Sequence, residues 1–74
     1  MKKWRGDIRG KCLALAIGQV WKGVLEEEET TLKIVGFKKA DKGDWPLVIF
    51  AIGEDLRVHH RTGAPAFLLG TLVE

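Results

Sequence analysis

Along this 74-residue chain, apolar and polar positions alternate over short spans, and Gly, Pro and acidic residues cut the spans apart. Leu32-Lys33-Ile34-Val35-Gly36-Phe37, Leu47-Val48-Ile49-Phe50-Ala51-Ile52 and Leu56-Arg57-Val58-His59 are brief and rich in β-branched or aromatic residues. Gly18-Gln19-Val20-Trp21 opens a similar run ahead of them. Such spans predict strands. The span 47–52 is apolar throughout, as expected of a strand buried on both faces, and Pro46 sits at its first position, where no ladder donor is lost. Residues 26–30, 38–44, 53–55 and 62–65 read as the turns. Residues 66–69 read as a single helical or 3₁₀ turn, with a last short strand over 71–73.

Two parts of the chain are less regular. As a strand, residues 12–22 put Leu13, Leu15, Ile17 and Trp21 on one face, and Cys12, Ala14, Ala16 and Gly18 on the other. As a helix over 8–17, Asp7 caps the start, Gly18 ends it, and Ala and Leu favour it; the domain is then α+β. Residues 1–11 read as a basic arm. Lys2, Lys3, Arg5, Arg9 and Lys11 stand against one acid, Asp7, and Gly6 and Gly10 discourage a regular element. Trp4 is wasteful in a free tail, so it is expected to fold back onto the body or onto a neighbour.

Size narrows the picture. A 74-residue chain is one domain, here the arm 1–11 followed by a β domain over 12–74. A domain this small buries only ~60% of the surface of its unfolded chain, and it usually needs a staple or a partner. Cys12 is the only cysteine, so the staple is not a disulfide. A homo-oligomer is the expected route to more buried area. A lone thiol with apolar flanks reads as inert and buried, in a reducing, cytoplasmic compartment. No apolar run approaches the ~20 residues of a membrane span, so no membrane partner is expected. The run 12–17 is too short and too late, behind five basic residues, for a signal peptide.

Five closely spaced antiparallel strands predict an all-β fold, a small barrel whose closure removes exposed edges. Gly18-Gln19-Val20-Trp21, Leu32-Lys33-Ile34-Val35-Gly36-Phe37 and the Phe67-Leu68-Leu69 turn resemble small SH3-like barrels carried on phages, plasmids and integron cassettes. The resemblance covers residues 18–73 and implies an SH3-like fold in an accessory protein of a mobile element. Plasmid-borne type II dihydrofolate reductases are enzymes of this broad group, and Ile34-Val35-Gly36-Phe37 is similar to their second strand. Their Val-Gln-Ile-Tyr signature is replaced here by Leu56-Arg57-Val58-His59, so folate and nicotinamide binding do not carry over.

The charge pattern supplies the candidate chemistry. On a strand over 56–61, Leu56, Val58 and His60 face one side, and Arg57, His59 and Arg61 the other, a cationic stripe with a step of about 6–7 Å. Such a stripe suits phosphates, which supply most of the affinity for nucleic acid. Lys33, Lys38, Lys39 and Lys42 extend it if they lie on a neighbouring strand or turn, and Trp45 beside them offers a base-stacking platform. The plainer reading is a solvated face whose charges discourage edge pairing. His59 and His60 point to opposite faces and cannot share a metal, and no zinc-ligand spacing occurs. The chain has no Ser and no Tyr, and no nucleophile, base and orienter can be assembled from its motifs. Arg5-Gly6-Asp7 matches the adhesion tripeptide and reads as coincidence. Trp4 and Trp45 are candidate interface residues, since Trp is favoured at binding hot spots, while Trp21 reads as core. The acidic block Glu26–Glu29 is a second candidate contact surface. The expectation is a non-enzymatic, cofactor-free binding protein for nucleic acid; the alternative is a protein-interaction module or self-assembling oligomer.

Overall fold

A computed structural model describes residues 2–74. Among them the chain runs β1 (Lys3–Ile8), β2 (Lys11–Ala16), β3 (Val20–Leu25), β4 (Glu28–Lys38), β5 (Leu47–Ile52), β6 (His59–Gly63), a 3₁₀ helix (Ala64–Leu69) and β7 (Thr71–Leu72). The fold is all-β: β1 and β2 form a two-stranded antiparallel sheet, and the rest form a five-stranded antiparallel sheet in the order β6-β5-β4-β3-β7.

The segment expected to be a basic arm is half of a hairpin. Trp4 pairs with Leu15, Gly6 with Leu13 and Ile8 with Lys11. The charges of β1 fall on alternate positions, so Lys3, Arg5 and Asp7 take the solvent face while Trp4, Gly6 and Ile8 turn inward. High charge density is compatible with a strand when every second residue is free of charge. Arg9 and Gly10 close the hairpin with φ of 53° and 77°, the two left-handed positions of a tight hairpin turn.

Of the two readings of residues 12–22, the strand is the observed one. Leu13 and Leu15 are buried, while Cys12 and Ala14 are exposed. β2 ends at Ala16, and Gly18 turns the chain with φ of 96° into β3. Ile17 is therefore exposed rather than part of the apolar face, and only Trp21, on β3, rejoins the core. Cys12 is exposed on the outer face of the hairpin, contrary to the expectation of a buried thiol.

The core is a single cluster. Ile8, Leu13 and Leu15 from the hairpin meet Trp21, Ile34, Val48, Phe50, Ala64 and Phe67 from the larger sheet and its 3₁₀ helix, with Trp4, Leu32, Phe37, Ile52 and Leu68 packed at the margin. The radius of gyration is 11.6 Å, close to the about 11.3 Å expected of a compact chain this long, as a docked hairpin requires. Trp21 meets Phe67 edge-on at 5.5 Å, and Phe67 meets Phe50 edge-on at 6.0 Å. The indole N–H of Trp21 donates to Gln19 Oε1 at 3.1 Å, and the same oxygen accepts the Ala16 N–H at 2.9 Å, so the one polar atom of this aromatic group is satisfied.

β6 and β7 stand at the two ends of the sheet order and do not pair. The expected closure by strand pairing is replaced by the 3₁₀ helix, which delivers Phe67 into the core between them. The turn before β6 is also wider than the sequence pattern implies. Asp55 Oδ1 accepts the Arg57 N–H at 3.2 Å and Glu54 O accepts the Leu56 N–H at 3.1 Å. These bonds wind residues 54–57 into a turn, so the strand begins at His59. No helix among the described residues is long and apolar enough to cross a membrane.

Candidate nucleic-acid interface

The eleven-residue strand β4 decides which cations meet. In its first half, Ile34 pairs with Phe50 of β5; in its second, Gly36 pairs with Ile49 and Phe37 with Val48, and Val35 is the extra residue of a β-bulge. The bulge inverts the alternation. Leu32, Ile34 and Phe37 all turn to the core side, and Lys33 and Lys38 both turn to the other side. In a regular strand, residues five apart would point to opposite faces.

Registers carry this outer face across β5 to β6. Lys33 pairs with Ala51, which pairs with His59; Gly36 pairs with Ile49, which pairs with Arg61; Lys38 pairs with Leu47, which pairs with Gly63. An apolar strip from β5 is thus flanked by Lys33 and Lys38 on one side and His59 and Arg61 on the other. The two lysines are four paired steps apart, about 13 Å, and β4 and β6 lie about 10 Å apart across the strip.

Trp45 belongs to the same face. It lies in the loop between β4 and β5, 38% exposed. Its Nε1 is 3.1 Å from the point a Cβ on Gly63 would occupy. That Cβ would project on the side taken by Arg61, two residues earlier on β6. The indole therefore rests on the backbone at one end of the cationic face, held there because Gly63 has no side chain.

The remaining expected contacts are peripheral. Arg57 is not in a strand. It lies in the β5–β6 turn, where its side chain is 94% exposed and 3.7 Å from Asp55. His59 opens β6, and its Nε2 is 3.0 Å from the Leu56 carbonyl, fastening the turn to the strand. Lys39 and Lys42 are exposed in the loop that carries Trp45, with Asp41 and Asp44 among them. Among the described residues, ion pairs join Lys22 to Glu29 and Arg57 to Asp55; Lys33, Lys38 and Arg61 are in none.

Other candidates separate from this face. Trp4 packs at the margin of the core. His60 is on the core side of β6, exposed and stacked on Phe50 at 5.7 Å. Among the described residues, His, Cys, Asp and Glu side chains form no group of three able to hold a metal. Arg5 donates to Cys12 Sγ at 3.4 Å, and this bond raises the guanidinium pKa further above its ordinary value. Arginine is charged at every working pH in any case. Sequence reasoning missed the seat of Trp45 on Gly63 and the bulge that joins the two lysines. Gly36 beside β-branched Val35 is the one local sign of the latter.

No family model, curated protein or solved structure matches the chain.

Proposed function

We propose that this chain is a nucleic-acid-binding module that tracks phosphates across the outer face of β4, β5 and β6. The observation that carries the reading is the shared face itself: Lys33, Lys38 and Arg61 around an apolar strip, with the half-exposed indole of Trp45 at its end. Cations supply salt-sensitive affinity, and a seated aromatic ring offers a stacking surface for a base. Lys39 and Arg57 extend the field at its margins, and His59 adds a ring nitrogen across the strip from Lys33. Trp45 is exposed at one end of the strip, so the better fit is a single strand whose bases are free to turn toward protein.

The SH3-like reading of residues 18–73 belongs to the same proposal. It is supported by the order β6-β5-β4-β3-β7, by the long bulged β4, and by the 3₁₀ turn between β6 and β7. A role in a mobile element rests on the sequence resemblance alone.

The test is fluorescence anisotropy with labelled random-sequence DNA and RNA, single- and double-stranded, at two salt concentrations. The expected result is micromolar binding, tighter for single strands, that falls steeply with salt. Absence of binding at low salt to all four probes would sink the reading.

A further inference from the structure

A second surface adjoins the cationic face at the β3 end of the sheet, where Lys22 and Glu29 lie on the same side of the β3–β4 pair as Lys33. Between β3 and the 3₁₀ helix, over Leu32 of β4 and Phe50 of β5, a cleft of 160 Å³ is lined mainly by apolar groups, among them Trp21, Val24 and Phe67. It continues into a recess of 170 Å³ bounded by Lys22, Glu29 and Thr71. Leu69 borders both and projects from the rim, 89% exposed. Val24 is 68% exposed beside it, and Leu72 and Val73 are about half exposed. Scattered exposed leucines are ordinary. A protruding leucine adjoining an apolar hole, with an exposed valine beside it, is a patch.

The size of the hole restricts its occupant. Small-molecule sites usually enclose about 300–1,000 Å³, and this cleft of 160 Å³ is little more than half the lower bound. A cavity of about 150 Å³ takes a benzene-sized group, so one leucine side chain is a suitable guest. Knob and hole are therefore present on one surface and are matched in chemistry and scale.

We infer that this patch is a two-fold interface between two copies of the chain, in which Leu69 of each copy enters the cleft of the other. An isologous contact requires a self-complementary surface, and the charges meet that requirement as well. Lys22 and Glu29 lie side by side at the rim, joined at 2.6 Å. A two-fold can set Lys22 of one copy against Glu29 of the other, and the reverse, with neither sign left over. A wholly basic or wholly acidic partner would leave one of them facing its own sign. The area is also attainable. A stable interface removes about 800 Å² from each partner, about a seventh of the 5507 Å² that this chain exposes. The position at the open end of the sheet, beside a strand of two residues, leaves the patch uncovered by the rest of the fold.

The experiment is sedimentation equilibrium over a wide concentration range, with circular dichroism as the check on folding. The wild-type chain is expected to dimerise reversibly. Leu69→Lys removes an exposed knob without touching the core and should weaken dimerisation at least about tenfold, the effect of losing a central apolar anchor. Lys22→Glu and Glu29→Lys should each weaken the homodimer by setting like charges opposite one another. An equimolar mixture of these two variants should recover the dimer, because only the mixed pair restores both contacts. A wild-type chain of monomer mass at every concentration overturns the inference. So does a dimer indifferent to Leu69→Lys, or a mixture no tighter than its components. Arg61→Ala should leave dimerisation unchanged, so failure here and failure of nucleic-acid binding are separate results.

Discussion

Lys33 and Lys38 face the same side of the sheet although they are five positions apart, because Val35 is an extra residue between two regular stretches of ladder. This relation turns two surface charges into one binding surface. If both touch phosphate, Lys33→Ala with Lys38→Ala should lower the slope of log affinity against log salt by about two. The double variant should fold normally, since neither ammonium is in an ion pair among the described residues. Lys3→Ala, exposed on the hairpin that packs against the core side of the sheet, is the control and should leave the slope unchanged. Equal slopes for the double variant and wild type would remove the lysines from the interface.

Trp45 makes a different contribution, and a different measurement separates it. Stacking on an aromatic side chain contributes about 1–3 kcal/mol per base and is insensitive to salt. Trp45→Ala should therefore weaken single-strand binding by roughly 5- to 150-fold while the salt slope stays that of wild type. Gly63→Val should act in the same direction, because its side chain would displace the indole from its seat. If Trp45→Ala changes the slope and not the salt-independent part of the affinity, the ring is not a stacking platform.

A tighter contact lies within the first hairpin. The Trp4 ring lies two positions from Gly6 on the inner face of β1, and its Cζ2 would be 2.5 Å from a Cβ at Gly6. No real Cβ tolerates that approach, so Gly6→Ala must expel the ring from the margin of the core. Overpacking of this kind costs about 1–3 kcal/mol. Chemical denaturation of Gly6→Ala should show that loss, with the tryptophan emission of the native state shifted to the red. Full wild-type stability would mean that Trp4 contributes nothing where it lies.

These two glycines show where the sequence stops being informative. The all-β class, the apolar strand 47–52 and the 3₁₀ turn near 66–69 were legible from alternation, apolar runs and turn residues, signals that depend on neighbours along the chain; the strand's expected burial on both faces was not met, since Leu47 and Ile49 on its outer side are only partly buried. The hairpin of residues 3–16 was not, because five cations obscured an alternation whose inward positions are Trp4, Gly6 and Ile8. Gly6 in isolation reads as a strand breaker. It is tolerated there because a ring from the same strand fills the space. The candidate site divides in the same way. The cations could be named from composition, but their common face depends on a bulge and on pairing across three strands, which are long-range facts. Alternation continues through Arg57 and places it in the strand, whereas a single Asp55 carboxylate turns the backbone away at that point.

The tip of the β3–β4 hairpin carries the last prediction. Glu26 and Glu27 both adopt left-handed backbone, with φ of 51° and 68°. Two-residue hairpins need that conformation at both positions, and Asn-Gly supplies it most readily. For an ordinary L-residue the left-handed region costs about 1–2 kcal/mol, and here two glutamates stand in it side by side, flanked by Glu28 and Glu29. Nothing in the core requires this choice, since both side chains are exposed. Glu26→Asn with Glu27→Gly should therefore raise stability by about 1–3 kcal/mol, partly through turn geometry and partly through relief of carboxylate repulsion. High salt separates the two contributions: it screens the repulsion and leaves the backbone term intact. The gain should shrink in salt but persist. A variant no more stable than wild type at any ionic strength would mean that the turn changes shape when its glutamates are replaced, and that their backbone is held by contacts beyond the hairpin.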